Sequence, residues 1–273
     1  MKEAKILTAR EKWEQATLAN NFIFYKVMRK HPEACGHLIE MLLNIKIESF
    51  EMRNEETIEL DHGAKGIRLD VYVKDTNRMY DIEIQATDTK ELPERARYYQ
   101  GLMDLDSLEE GKRFKDLKDS HVIFICMDDI FKDNLPVYTF ENLCLENTRT
   151  KLNDRTFKHF FIASSCARMI KNKELKTFFE FLVSNCAGND FTKHLNNYVI
   201  DAKHNMQWRA QYMEWERQRT YDFDAGKEAG AQQKTVEVTQ NLYTNGVSEE
   251  IIAKSMNMTI EQVREIVKSN NAE

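Results

Sequence analysis

Ile67-Arg-Leu-Asp-Val-Tyr-Val73 is followed, after a short polar gap, by Tyr80-Asp-Ile-Glu-Ile-Gln85. Both segments alternate apolar and polar residues and are rich in β-branched and aromatic side chains, so each reads as a strand. Lys74-Asp-Thr-Asn-Arg78 between them is turn-like and predicts a β-hairpin. Residues facing each other across an antiparallel pair point to the same side. If Val71 faces Ile82, then Leu69 faces Ile84 and Val73 faces Tyr80, which makes one apolar face. The other face then carries Asp70 opposite Glu83, Tyr72 opposite Asp81 and Arg68 opposite Gln85. Carboxylates that close repel unless a cation, a proton or a basic group stands between them. The pattern leaves two readings open: a divalent metal site, or a solvated polar face with Arg68 neutralising its neighbours.

The flanking sequence predicts an α/β protein. Pro32 precedes a helix from Glu33 to Ile45, where proline suits the first turn. Thr57 to Leu60 reads as a short strand, Glu91 to Leu105 as a helix with Pro93 near its start, and His121 to Met127 as an apolar strand. Asp128 and Asp129, at the end of that strand, fit a turn better than a metal site. From about Leu152 onward the sequence reads as helical. Glu174 to Asn185 is a helix, and Lys203 to Gly226 carries Trp208, Tyr212 and Trp215 on one stripe. Gly226, Gly230 and Ala231-Gln-Gln-Lys234 predict a hinge or linker. Beyond it, a helix ending at Asn245-Gly246 precedes one capped by Ser248. Thr259 and Gln262 then form a capping-box pattern, so Met256-Asn-Met258 reads as the turn of a helix-turn-helix. Its second helix has only Arg264 and Lys268 as positive charges, which favours docking or dimerisation over DNA reading.

These motifs resemble the PD-(D/E)XK nucleases, and within them the recombination-promoting nuclease (Rpn) and transposase family. The resemblance rests on Asp70, then Glu83-Ile-Gln85, where most of the superfamily has lysine in place of Gln85. It extends to Asn20-Asn-Phe-Ile-Phe-Tyr-Lys-Val-Met28, Leu38-Ile-Glu-Met-Leu-Leu43, Arg95-Ala-Arg-Tyr-Tyr-Gln100, Leu108-Glu-Glu-Gly111, Val122-Ile-Phe-Ile-Cys126 and Val137-Tyr-Thr-Phe140. It implies a restriction-endonuclease-like core, a mixed sheet flanked by helices, with a helical C-terminal extension. The expected division is a nuclease-like core at 1–165, a helical extension and linker at 166–233 and a small helix-turn-helix-like unit at 234–273. The implied activity is a DNA endonuclease using Mg²⁺ or Mn²⁺. Asp70, Glu83 and the Ile84 backbone carbonyl would hold the metal, Gln85 would orient the attacking water, and Glu40 would add a third carboxylate. For Glu40, a solvent-facing glutamate at a helix boundary is the competing reading. Arg95, with Tyr99 one turn on, suits a phosphate clamp, or else an ion pair with Glu91 or the carboxylate cluster. Relatives usually carry Asp where this chain has Asn21, a loss of charge that would weaken metal binding or substrate positioning.

Composition bounds the rest. The chain has 273 residues and a formal net charge of −6, an awkward balance for a protein that contacts phosphates. Lys151 to Arg219, however, holds 12 Lys+Arg against 7 Asp+Glu, a net of +5. No apolar run spans a bilayer, and the charged start Met1-Lys-Glu-Ala-Lys lacks a secretion signal. Five scattered cysteines favour reduced thiols in a cytoplasm, with Cys126 as plain core. The sequence has no Gly-Lys-Ser/Thr phosphate loop, no Gly-x-Ser-x-Gly elbow and no His-Glu-x-x-His, which argues against a nucleotide cofactor and the common hydrolase types. Oxygen donors prefer a hard cation. Because one centre cuts one strand, a homodimer through the C-terminal helices is expected, unless the Trp208, Tyr212, Trp215 stripe packs back on its own core.

Overall fold

The computed structural model of the chain describes residues 7–52, 71–87 and 89–269. The expected strand at Thr57 to Leu60, Arg68 and Asp70 lie outside the described residues. The chain divides into two compact units, Met1–Arg209 and Ala210–Glu273.

The first unit is built on a mixed six-stranded sheet. Its strands are β1 (Glu51–Met52), β2 (Val71–Lys74), β3 (Arg78–Gln85), β4 (Asp119–Cys126), β5 (Val137–Phe140) and β6 (Thr156–Ile162), in the order β1-β2-β3-β4-β6-β5. β3, β4 and β6 run parallel, and the outer pairings are antiparallel. The hairpin forms in the expected register: Val71 faces Ile82, Tyr72 faces Asp81 and Val73 faces Tyr80. Asp75 holds the turn. Its Oδ1 accepts from the Asn77 and Arg78 backbone N–H groups at 2.8 and 2.6 Å, and its Oδ2 from the Tyr80 hydroxyl at 3.0 Å. An Asx side chain that takes the N–H groups two and three residues on is the local device that makes a chain turn.

The helices of this unit are α1 (Ala9–Gln15), α2 (Asn21–Lys30), α3 (Pro32–Leu43), α4 (Leu92–Ser107), α5 (Ala163–Met169), α6 (Lys173–Ser184) and α7 (Asp190–His204). Their ends follow the sequence signals. Asn20 caps α2 by accepting from Ile23 N–H, Pro32 and Pro93 occupy first-turn positions, and Asn44 and Asn185 close α3 and α6 in the left-handed conformation.

α4 covers one face of the sheet. Its Leu92, Ala96, Tyr99 and Met103 pack with Tyr72 and Met79 of the hairpin, Val122, Phe124 and Cys126 of β4, and Phe160 and Ile162 of β6. On the opposite face Val71, Val73, Tyr80, Ile82 and Ile84 are buried as well, and α2 comes against β2 and β3. A solvated polar face on the hairpin is therefore excluded: Asp81 is 0 % exposed and Glu83 2 %. No disulfide joins any of the five cysteines, and Cys126 is core as expected.

Two expectations require correction. The sequence does not turn helical at Leu152, because Thr156–Ile162 is the parallel strand β6 and its neighbour β5 is also a strand. Phe160-Phe-Ile162 is a short apolar run, and such a run fits a buried strand and a buried helix equally well by periodicity. Nor is there a hinge at Gly226 to Lys234, since α8 (Met206–Thr244) is one continuous helix through both glycines. Alanine, glutamate, glutamine and lysine around them are strong helix formers, and each glycine costs only about 1 kcal/mol. Asp128 and Asp129 do form a turn, in which Asp129 accepts from the N–H groups of Phe131, Lys132 and Asn134.

In the second unit, the end of α8 precedes α9 (Glu249–Met256) and α10 (Ile260–Ser269) around a small core of Ile252, Ala253 and Val263. Gly246 at φ +81° follows α8, Ser248 occupies the N-cap position of α9 without a side-chain capping hydrogen bond, and Thr259 and Gln262 form the reciprocal capping box of α10. Within the long helix, Trp208 lies 5.9 and 5.5 Å from the ammonium groups of Lys26 and Lys30 on α2, and Tyr212 is 1 % exposed. Trp208 of the aromatic stripe thus lies against α2 within the first unit. No helix among the described residues is long and apolar enough to cross a membrane.

Candidate active site at the end of strand β3

Parity along β3 sets the site. Asp81, Glu83 and Gln85 alternate with Ile82 and Ile84, so all three polar side chains lie on the face beneath α4. Parallel pairing places Glu83 beside Phe124 and Gln85 beside Cys126. Arg95, in the first turn of α4, reaches down to this row. Its Nη2 donates to Glu83 Oε2 at 2.6 Å and its Nη1 to Gln85 Oε1 at 3.0 Å. Nη2 and Nε also donate to the Tyr99 hydroxyl, at 2.9 and 3.3 Å. The guanidinium carbon stands 5.4 Å from the Tyr99 ring centre and 5.5 Å from that of Phe124, so aromatic faces flank the cation. Gln85 completes the chain by donating from Nε2 to the Thr87 carbonyl at 2.6 Å.

Exposure differs sharply along this chain of contacts. The Glu83 side chain is 2 % exposed and the Arg95 side chain 29 %. A carboxylate removed from water costs several kcal/mol unless it is paired and hydrogen-bonded, and the guanidinium supplies both. Burial, reinforced by the Glu83 charge, pushes the Tyr99 hydroxyl pKa upward against the opposing pull of Arg95, so Tyr99 remains a neutral hydroxyl.

The backbone contributes a further oxygen. Met127 N–H donates to the Gln85 carbonyl at 3.0 Å, extending the β3–β4 ladder past the strand end. Carbonyl directions alternate along a strand, so the Ile84 carbonyl turns the other way, toward the hairpin side.

The remaining candidates stand apart from this row. Glu40, at the end of α3, accepts from Ile47 N–H at 2.9 Å and from Lys46 Nζ at 3.2 Å. These contacts hold its pKa below the usual range, the backbone N–H most of all. Asn21 occupies the first position of α2 and accepts from Phe22 N–H at 2.8 Å. Among the described residues no three His, Cys, Asp or Glu side chains come together to hold a metal ion.

Sequence reasoning missed a partly buried histidine pair. His121 on β4 and His159 on β6 share a hydrogen bond, Nδ1 to Nε2, at 3.1 Å, and Thr139 Oγ1 lies 3.2 Å from His159 Nδ1. His121 stacks between Tyr80 and Phe157, with ring centres 5.4 and 4.8 Å away. Burial lowers the pKa of His121 to about 3 and that of His159 to about 4. The available signal was that each histidine directly precedes an apolar run, Val122-Ile-Phe-Ile-Cys126 or Phe160-Phe-Ile162.

Comparison with known proteins yields one match. The family model described as PD-(D/E)XK nuclease family transposase matches residues 24–226, a span that runs from within α2 to about the middle of α8, with the sheet and the Glu83–Arg95 row inside it. No curated protein and no solved structure matches the chain.

Proposed function

Because the chain belongs to the PD-(D/E)XK nuclease family transposases, we propose that it is a Mg²⁺-dependent DNA endonuclease, also served by Mn²⁺, acting in the cytoplasm in recombination or transposition. The carrying observation is Glu83, a carboxylate 2 % exposed, held at a strand end by a guanidinium that is itself open to solvent. A buried ion pair is weak support for stability alone, since apolar residues of the same size would do as well. A site that must offer charge to an incoming ligand requires one. The observed pairing of Val71 with Ile82 is the register from which Asp70 was expected opposite Glu83, and it supports assigning both to one centre.

The donors fit a hard cation: the Glu83 carboxylate, the Ile84 carbonyl and, outside the described residues, Asp70. When bound, the metal would lower the pKa of a water and polarise the scissile phosphate. Gln85 cannot take a proton as a base, so its amide would orient the water or a phosphate oxygen by hydrogen bonding. Arg95, with Tyr99 steadying it, would turn part of its fork toward a phosphate while its plane stays between the aromatic rings. Glu40 would act only through a water, as its oxygens already hold Ile47 N–H and Lys46. Asn21 would position substrate without charge.

The purified protein should cleave duplex DNA with Mg²⁺ or Mn²⁺ and stop on chelation. Asp70→Ala and Glu83→Ala should each abolish cutting; full wild-type cleavage in both removes the assignment. A second reading, a catalytically weak DNA- or protein-binding module on the same fold, draws on the Arg95–Glu83 pair, which neutralises the carboxylate without a metal. Calorimetry with Mn²⁺ separates the two. Binding at millimolar affinity or tighter that Asp70→Ala removes favours the enzyme, and no binding favours the module. Asn21→Asp should raise cleavage if the missing charge limits the site.

A further inference from the structure

From Arg217 to Lys234 every residue of α8 is exposed, so the helix stands in solvent on all sides over this stretch. A Cβ added at Gly226 or Gly230 would meet nothing within 4 Å. A stretch exposed on all sides gains no stability from tertiary packing, and its two mid-helix glycines weaken it. Such a stretch needs a partner, and its charges specify which one.

Steps of three or four residues bring Arg219, Asp222, Gly226, Gly230, Lys234 and Glu237 onto one face of α8. Read along the chain, the face runs basic, acidic, glycine, glycine, basic, acidic. Laid antiparallel against itself about the midpoint of the glycines, it sets Arg219 against Glu237, Asp222 against Lys234 and Gly226 against Gly230. Every charged pair is then of opposite sign. In a parallel alignment in register, each charge would meet its own kind. The present contacts of these side chains lie within the helix: Lys234 with Glu237 at 3.0 Å, Arg219 with the buried Glu216 at 3.2 Å, and Asp222 accepting from Gln218 at 2.8 Å. The exposed pairs among them are worth little and exchange readily. Phe223, 70 % exposed beside Asp222, supplies apolar surface at the edge of the face, and the glycines let two backbones approach closely.

We propose that this face of α8 pairs antiparallel with the same face of a second copy, giving a two-fold homodimer. The contact is isologous, so one patch serves both copies and the assembly closes at two. The proposal does not rest on the nuclease reading, and its test does not use cleavage.

The test exploits distance. Asp222 and Lys234 lie twelve residues apart, about 18 Å along one helix, too far to meet within a chain. Light scattering on the full chain should give a dimer that weakens at high salt. Asp222→Lys alone and Lys234→Asp alone should each weaken dimerisation by about tenfold or more, because two like-charge contacts appear per dimer. Mixing those two variants should restore dimers, as heterodimers, since each variant then faces its opposite. Gly226→Leu should raise helicity and yet abolish the dimer. A wild-type chain that stays monomeric at the highest concentration reached, single swaps that leave dimerisation unchanged, or a mixture that stays monomeric would each overturn the proposal.

Discussion

On one face of β3 sit Asp81, Glu83 and Gln85; on the other, Tyr80, Ile82 and Ile84 continue across β4 and β6 into His121 and His159. Both faces are largely buried, and both contain titratable groups. Under α4 the charge is kept, because Arg95 reaches Glu83 from the surface. On the far face it is given up, because the histidines share one hydrogen bond and burial holds them neutral. The difference lies in the partner. A guanidinium 29 % exposed brings an opposite charge to the first face, whereas the imidazoles of the second meet each other among stacked rings. A charged group is useful to a ligand only where it is both kept charged and reachable, and Arg95 gives the Glu83 face both.

The largest expected effect comes from breaking the charged face. Arg95→Ala strands a buried carboxylate and should lower stability by about 3 kcal/mol, read as a fall in thermal midpoint. Adding Glu83→Gln to that variant should recover much of the loss. An Arg95→Ala protein as stable as wild type would mean that the pair contributes nothing to the fold.

Acid probes the histidine face. The folded-state pKa values of both histidines lie below the usual 6.5, so the unfolded chain takes up protons first as pH falls. Their contribution to stability is complete above about pH 6.5 and declines through the window down to about pH 3 to 4. A tenfold change in proton affinity corresponds to about 1.4 kcal/mol, so the two rings, which share one hydrogen bond, together lose about 2 kcal/mol or more by pH 4. His121→Phe keeps the stack between Tyr80 and Phe157 and should flatten the slope of denaturation midpoint against pH. An unchanged slope would place the acid sensitivity elsewhere.

Tyr99→Phe is the finest probe. It removes the hydroxyl that accepts from Arg95 and leaves the ring in place. The expected cost is about 1 kcal/mol, with a smaller loss than Arg95→Ala in any assay of DNA binding. Equal losses in the two variants would show that Arg95 acts mainly through Tyr99.

The hairpin was legible because alternation and turn chemistry are local: Asp75 and the paired valines and isoleucines fix a register that counting alone can find. Helix ends were legible for the same reason, through Pro32, Gly246, Ser248 and Thr259. β6 was not, since its ladder partners lie 36 residues away on β4, and a run such as Phe160-Phe-Ile162 carries no period. Alternation also misleads about burial. It separates Glu83 from Ile82 correctly but reads the polar row as outward, and only the packing of α4 encloses it. The histidine pair joins residues 38 positions apart, a proximity that no local pattern encodes. Arg95 was recognisable as a partner of the carboxylates, but so was a phosphate role, and spacing could not choose between them.

The Asp75 clasp has one further consequence. A strand is a binary counter: each residue added or removed before it exchanges inside for outside along its whole length. By gripping Asn77, Arg78 and Tyr80 together, Asp75 sets the first digit of that count for β3, well before the strand reaches Gln85. A turn one residue longer must either throw a bulge or deliver Glu83 to the histidine side, beneath no arginine. The identity of the site is thus decided at the end of the strand farthest from it.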